Sequence, residues 1–221
     1  MNPITESLIN KAGGLLKVHP EINDWTGKSY QMFNTGSVEV DTAEFLYAMV
    51  RLTKPERILD TGTHYGVSAL YMALAAEHNG FGEVVSMEID EHYVKEAKKL
   101  WDKVGLSHRI KQYHGKSLEY KEPGGFQFML LDTEPQIRFA ELLKFEPVLG
   151  YGGYVFIHDL HRHMSQEYNA EHGFGFPFGR LPQEIVDMVN VKRLWPFHFP
   201  TPRGLTGFYK RDPRDYQWHD F

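Results

Sequence analysis

Apolar residues in this chain alternate between short continuous runs and runs with helical spacing. Arg57-Ile58-Leu59-Asp60, Glu83 to Glu88, Arg109 to Tyr113, Phe126 to Leu131 and Tyr154 to His158 each read as a short buried strand. Between them, Val67, Leu70, Tyr71, Leu74 and Ala75 recur on one helical face, as do Val94, Ala97, Leu100, Trp101 and Val104. Asn79-Gly80 ends the first of these helices and Asp90 caps the second. A third helix is predicted around Ile137 to Phe145. Strands that alternate with helices and are apolar on both faces imply a parallel sheet covered on both sides.

Upstream, Phe45, Leu46, Met49 and Val50 predict a helix over 41–52, with Asp41 as N-cap and Pro55 as its stop. The residues before it read as a short helix followed by an irregular arm. Downstream, a helix is expected at Pro182 to Val189, then strands at Val191 to Phe197 and Leu205 to Lys210. The short connection between those two strands makes them an antiparallel pair. The fold class is therefore α/β, with a Rossmann-like seven-stranded sheet, mostly parallel, whose last strand is antiparallel. We read 1–221 as a single domain with an N-terminal arm at 1–36, an inserted lid-like segment at 160–181 and an aromatic tail at 211–221.

Composition narrows the function classes. The formal charge is -5 and no run of Lys and Arg occurs, which argues against a nucleic-acid partner. No apolar run approaches the roughly 18 residues of a membrane helix. Cysteine is absent, so neither a disulfide nor a thiolate metal site is available. The start of the chain does not read as a secretory signal, and a cytoplasmic location is expected.

Candidate chemistry sits at the strand ends, where ligands of parallel sheets bind. Asp60-Thr61-Gly62-Thr63-His64-Tyr65-Gly66 follows the first strand. Gly62 permits a sharp turn and Gly66 a close approach of ligand or helix. Ser68 can cap or hydrogen-bond at the helix start. The spacing is not the G-x-G-x-x-G of a dinucleotide loop, because His64 stands at the middle glycine. A loop that begins with an acid and is poor in glycine suits a ligand with a cationic amino-acid end. Glu88 closes the second strand, where a carboxylate can accept ribose hydroxyls.

The run Ile58 to Ser68 resembles the first motif of class I S-adenosylmethionine (SAM)-dependent methyltransferases, in particular the catechol O-methyltransferase-like group acting on small molecules. Met87-Glu88-Ile89-Asp90 resembles that group's second motif. His114-Gly115-Lys116-Ser117 is similar to the turn lining the adenine, Leu130-Leu131-Asp132 to the fourth-strand motif, and Gly152 to Asp159 to the fifth strand. The resemblance implies SAM as cofactor, held by Asp60, Gly62, Thr63, His64, Gly66, Ser68, Glu88, Ile89, Lys116, Ser117 and Asp132. It also implies that Asp132 lies near the transferred methyl and, in metal-dependent members, binds magnesium, with Asp159 as a second metal ligand.

Two positions depart from that group. Leu160 stands where metal-dependent relatives have Asn, and Pro135 where they have a catalytic Lys. A base must therefore come from elsewhere. His158-Asp159-Leu160-His161-Arg162-His163 offers three imidazoles beside an acid, and His161 is the preferred base. If strand alternation continues, His161 lies on the side of Asp159 and His158 points the other way. The same residues offer a second reading, in which Asp132, Asp159 and His161 hold a divalent metal, either magnesium or a transition ion.

The expected reaction is methyl transfer to a hydroxyl of a small-molecule acceptor. The alternatives are an N-methyltransferase, a sugar- or antibiotic-type methyltransferase, a nicotinamide-dependent oxidoreductase and a silent SAM-binding module. Phe174, Phe176 and Phe178 suit a water-excluding lid, and Trp25, Tyr30 and Phe33 the opposite wall. Tyr216, Trp218 and Phe221 make the tail too aromatic for free solvent, so it should dock on its own chain or on a second copy in a homodimer.

Overall fold

In the computed structural model, residues 2–23, 29–34, 37–121, 124–159, 182–199, 201 and 203–212 are described. Helix α1 (Pro3–Ala12) opens the chain. The Asn2 side chain caps it by accepting from the Ile4 and Thr5 amides, and Pro3 sits in the first turn, where no amide is needed. An irregular arm follows, with a two-residue hairpin of β1 (Ile22–Asn23) and β2 (Ser29–Tyr30). Helix α2 (Val40–Thr53) comes next. Its N-cap is Glu39 rather than the expected Asp41, which lies in the first turn and complements the helix dipole there.

The alternation predicted from the sequence then appears. Strand β3 (Arg57–Thr61), α3 (Val67–Asn79), β4 (Glu83–Glu88), α4 (Glu91–Val104) and β5 (Ile110–His114) follow in turn. After them come β6 (Phe126–Leu131), α5 (Arg138–Phe145), β7 (Leu149–His158), α6 (Gln183–Asn190), β8 (Leu194–Phe199) and β9 (Leu205–Lys210). Seven strands form one sheet in the order β5-β4-β3-β6-β7-β9-β8. β9 pairs antiparallel with both β7 and β8, while the β3–β4, β4–β5 and β6–β7 pairs are parallel. This is the predicted α/β sheet with its last strand reversed. Among the described residues no helix is long and apolar enough to cross a membrane.

The chain divides into two compact units, Met1–Lys121 and Glu122–Phe221. In the first, every residue of α3 from Val67 to Ala76 is buried. The expected single stripe is thus too narrow, because Ala69, Ala73 and Ala76 let neighbours approach the other faces as well. The Tyr71 hydroxyl lies 2.8 Å from Thr5 Oγ1, which donates to Glu44 at 2.5 Å, so α1, α2 and α3 share one buried polar link. Burial pushes the Tyr71 phenol well above its ordinary pKa.

In the second unit, β7 starts at Leu149, five residues earlier than expected, with an irregular register against β6 and Gly152 in the left-handed region. β8 starts three residues later than expected, because Val191 and Lys192 form a turn with Lys192 at φ 57°. At Gly207 of β9 a Cβ would lie 2.3 Å from the Phe197 ring and 3.0 Å from that of Phe156, so glycine lets two rings close over the strand. Glu146 is fully buried. It accepts from Arg193 Nε at 2.7 Å, and Lys210 Nζ lies 3.1 Å from its Oε1.

Glu146→Ala should cost about 3–5 kcal/mol in urea unfolding, because it strands the buried Lys210 ammonium. Arg193→Ala should cost about 1 kcal/mol or less, since that partner is 46% exposed.

Candidate active site

Asp60 is the penultimate residue of strand β3 and is fully buried. A buried carboxylate needs donors on both oxygens, and the fold supplies them from two elements. Ser68 Oγ of α3 donates to Oδ1 at 2.9 Å, and Ser86 Oγ of β4 donates to Oδ2 at 2.6 Å. The parallel register places Asp60 opposite Ser86. Thr63 Oγ1 lies 2.7 Å from Ser86 Oγ and extends the chain of hydroxyls into the loop.

The loop backbone is fixed in the same way. The Gly62 and Thr63 amides both donate to Met87 O at 3.0 Å, and the Gly66 amide donates to Thr63 O at 2.7 Å. Gly62 and Gly66 have φ of 81° and 78°. Gly66 is needed for helix packing. A Cβ there would lie 2.6 Å from Trp101 Nε1, which donates to Gly66 O at 2.8 Å.

His64 also takes a left-handed backbone, φ 48°, and this turns its amide onto Glu88 Oε2 at 2.8 Å. Glu88 Oε1 accepts from the amides of Ile89 and Asp90 at 2.8 and 2.9 Å. Three backbone N–H groups thus hold one carboxylate at the end of β4. Beside it the His64 ring lies 4.1 Å from the ring of Tyr93, which contacts Tyr65 at 5.2 Å. Ile89 is 59% exposed, an unusual position for a large apolar side chain at a strand end. Ser117 is buried, whereas Lys116 is exposed and lies 3.5 Å from Glu119.

Within the first unit the sequence-predicted residues Asp60, Gly62, Thr63, His64, Gly66, Ser68, Glu88 and Ile89 therefore come together. Sequence reasoning missed Ser86 and Trp101. Ser86 carries a signal: it is a lone hydroxyl in the apolar run Val84-Val85-Ser86-Met87.

In the second unit, Asp132 follows β6 and Asp159 follows β7. The extended backbone ends at His158, and Asp159 is left-handed at φ 54°. Strand alternation therefore stops there. His158 does not point away, as expected, but sets Nδ1 3.0 Å from Asp132 Oδ2 and 3.7 Å from Asp159 Oδ1. His161, Leu160 and the proposed lid at 160–181 lie outside the described residues, as do Trp25 and the tail from 213.

Two arginines complete this cluster. Buried Arg138 donates from Nε to Thr133 O at 2.7 Å and from Nη1 to His158 O, while its Nη2 lies 3.2 Å from Asp132 Oδ1 and 3.4 Å from Asp159 Oδ2. Arg203 Nη2 donates to Asp159 Oδ2 at 2.6 Å. Burial alone would raise the Asp159 carboxyl, but the charges of His158, Arg203 and Arg138 outweigh it and hold the group well below the usual carboxylate range. Asp159 Oδ1 is buried and has no hydrogen-bond partner among the described residues. Asp132 and Asp159 are the carboxylates that would hold a divalent cation, yet Asp132 Oδ1 and Asp159 Oδ2 already face guanidinium groups and Asp132 Oδ2 faces the His158 imidazole. The described residues do not fit a metal bridging that pair.

Residues 15–136 match the family model described as O-methyltransferase. The chain is 20% identical over 224 residues to "Probable caffeoyl-CoA O-methyltransferase 3" of Dictyostelium discoideum, covering 93% of this chain and 88% of that one. It is 25% identical over 145 residues to the caffeoyl-CoA O-methyltransferase of Mesembryanthemum crystallinum, covering 59% and 56%, so it spans a little over half the length of that plant protein. Its fold is like that of the Bacillus cereus O-methyltransferase solved in complex with S-adenosylhomocysteine (SAH). That match has a TM-score of 0.61 and 17% identity, over 95% of this chain and 92% of that one.

Gly66→Ala should lower stability by about 2–4 kcal/mol, from left-handed strain plus the Trp101 clash. Gly80→Ala serves as the control. It has φ 81° but open space around the added methyl, so it should lose only the strain, about 1 kcal/mol. Equal losses in urea unfolding would refute the packing role of Gly66.

Proposed function

The chain belongs to the O-methyltransferase family, and on that premise we propose that it transfers the methyl group of SAM to a hydroxyl of a small molecule. The observation that carries the reading is the Glu88 carboxylate, held by three backbone amides beside the loop after β3. A carboxylate fixed in this way presents its remaining lone pairs in set directions, which suits two adjacent ribose hydroxyls. Exposed Ile89 offers an apolar face to adenine and Ser117 a hydroxyl to its edge. The loop from Thr61 to Gly66 takes the amino-acid end. Asp60 serves this site through the loop, because Ser68 and Ser86 occupy its oxygens.

When bound, SAM supplies a methyl on a positive sulfonium. The acceptor oxygen attacks that carbon in line, and the carbon–sulfur electron pair leaves with sulfur. The protein's task is to bring the oxygen to near-attack distance and to take its proton. Asp132 and Asp159 are the polar groups assigned to the acceptor hydroxyl, with His161 as the base. The spacing of the loop glycines supports a SAM ligand over a dinucleotide, since no pyrophosphate turn of the G-x-G-x-x-G kind is present.

The test is transfer of labelled methyl from SAM to a panel of catechols, hydroxycinnamoyl thioesters, simple phenols and amines. Labelled ether product is expected. Tight NAD binding without SAM binding, or label found only on amine acceptors, would contradict the proposal. Glu88→Gln should weaken SAM at least about tenfold, which is about 1.4 kcal/mol in a calorimetric titration. His161→Ala should lower kcat by about a hundredfold or more. If kcat stays within a fewfold across pH, the base is another group.

A further inference from the structure

We propose that Arg138 and Arg203 take the place of a divalent cation at the Asp132–Asp159 pair, so that this chain's methyl transfer proceeds without a metal. The methyl-transfer part rests on the function proposed above, but the geometry does not. Arg138 Nη2 lies within 3.4 Å of an oxygen of each carboxylate, and Arg203 Nη2 lies 2.6 Å from Asp159 Oδ2. Two negative groups thus meet two positive ones, before His158 is counted.

Guanidinium suits this role better than ammonium would. It keeps its proton at any working pH, so it cannot make room for an ion by deprotonating. Nor can Arg138 swing aside easily. Its Nε and Nη1 are bonded to the carbonyls of Thr133 and His158, next to the two acids it pairs. A divalent ion would therefore enter beside two fixed positive charges and compete with them for the same lone pairs.

His158 Nδ1 and Asp159 Oδ1 are near enough to share one ion. That imidazole nitrogen, however, is already 3.0 Å from Asp132 Oδ2. The sequence agrees with the geometry, since position 160 carries Leu, whose side chain offers a metal no oxygen. The arginines act through the acids, as positioning residues. They hold Asp132 and Asp159 in place and leave Asp159 Oδ1 as an acceptor for the incoming hydroxyl.

The test is electron paramagnetic resonance of Mn2+ added to the full chain, with a parallel Zn2+ titration by calorimetry. The free Mn2+ signal should stay undiminished with the wild type and no Zn2+ heat should appear. Removing both guanidinium groups in Arg138→Ala/Arg203→Ala should create a site, and the free signal should then fall in proportion to added protein. Stoichiometric uptake by the wild type, abolished by Asp132→Asn, would overturn the proposal. So would a folded double variant that still binds no ion. If the double variant does not fold, Arg203→Ala and the wild-type titration decide.

Activity gives an independent arm. Exhaustive chelation should leave the transfer rate unchanged, whereas a metal-dependent site would lose on the order of a hundredfold and recover it with Mg2+. If no acceptor is methylated at all, the function reading fails and the Mn2+ result still decides this one.

Discussion

The donor side of this protein is organised around one buried charge. Asp60 lies next to the end of the central strand β3 with no exposure to water, a position that is tolerable only if both oxygens are satisfied. Ser68 and Ser86 do this from α3 and β4. The carboxylate therefore sets where α3 begins relative to the sheet, and the Thr63–Ser86 contact fixes the loop between them. Once the loop follows that path, the His64 amide reaches Glu88. Glu88 can then act as a rigid acceptor, because its orientation no longer depends on its own rotamer freedom.

Much of this was legible in the sequence for physical reasons. Strands buried on both faces must be apolar throughout, so β3, β4, β6 and β9 stood out, and β4, β6 and β9 were placed to the residue. Gly62 marked a sharp turn, which is left-handed, and Asp90 marked a helix cap that does accept from the His92 amide. What stayed hidden was partnership. Gly66 read as room for a ligand or helix, and the partner proves to be Trp101, thirty-five residues away. No local pattern encodes that contact.

The acid cluster failed to be legible for a different reason. Alternation of side chains holds only while the backbone stays extended. The left-handed turn at Asp159 breaks it, so the Asp159 carboxylate comes within 3.7 Å of the His158 ring, which itself faces Asp132. Arg138 sits at the start of α5 in a helical pattern that would ordinarily place an Arg in solvent, yet it is buried between carbonyls and carboxylates. Arg203 lies in a short connection with no motif. The resemblance points to the two acids, while no motif marks the charges that surround them. Losses of the familiar Lys and Asn positions, at Pro135 and Leu160, are consistent with that difference.

The central claim is that the loop after β3 and the Glu88 carboxylate form the SAM site of an O-methyltransferase. A crystal structure of the full chain grown with SAH tests it most directly. Both ribose hydroxyls are expected within hydrogen-bond distance of Glu88, adenine against Ile89 and near Ser117, and the amino-acid end over Gly62 to Gly66. A nucleoside bound away from Glu88, or a ribose facing it without hydrogen bonds, would contradict the account.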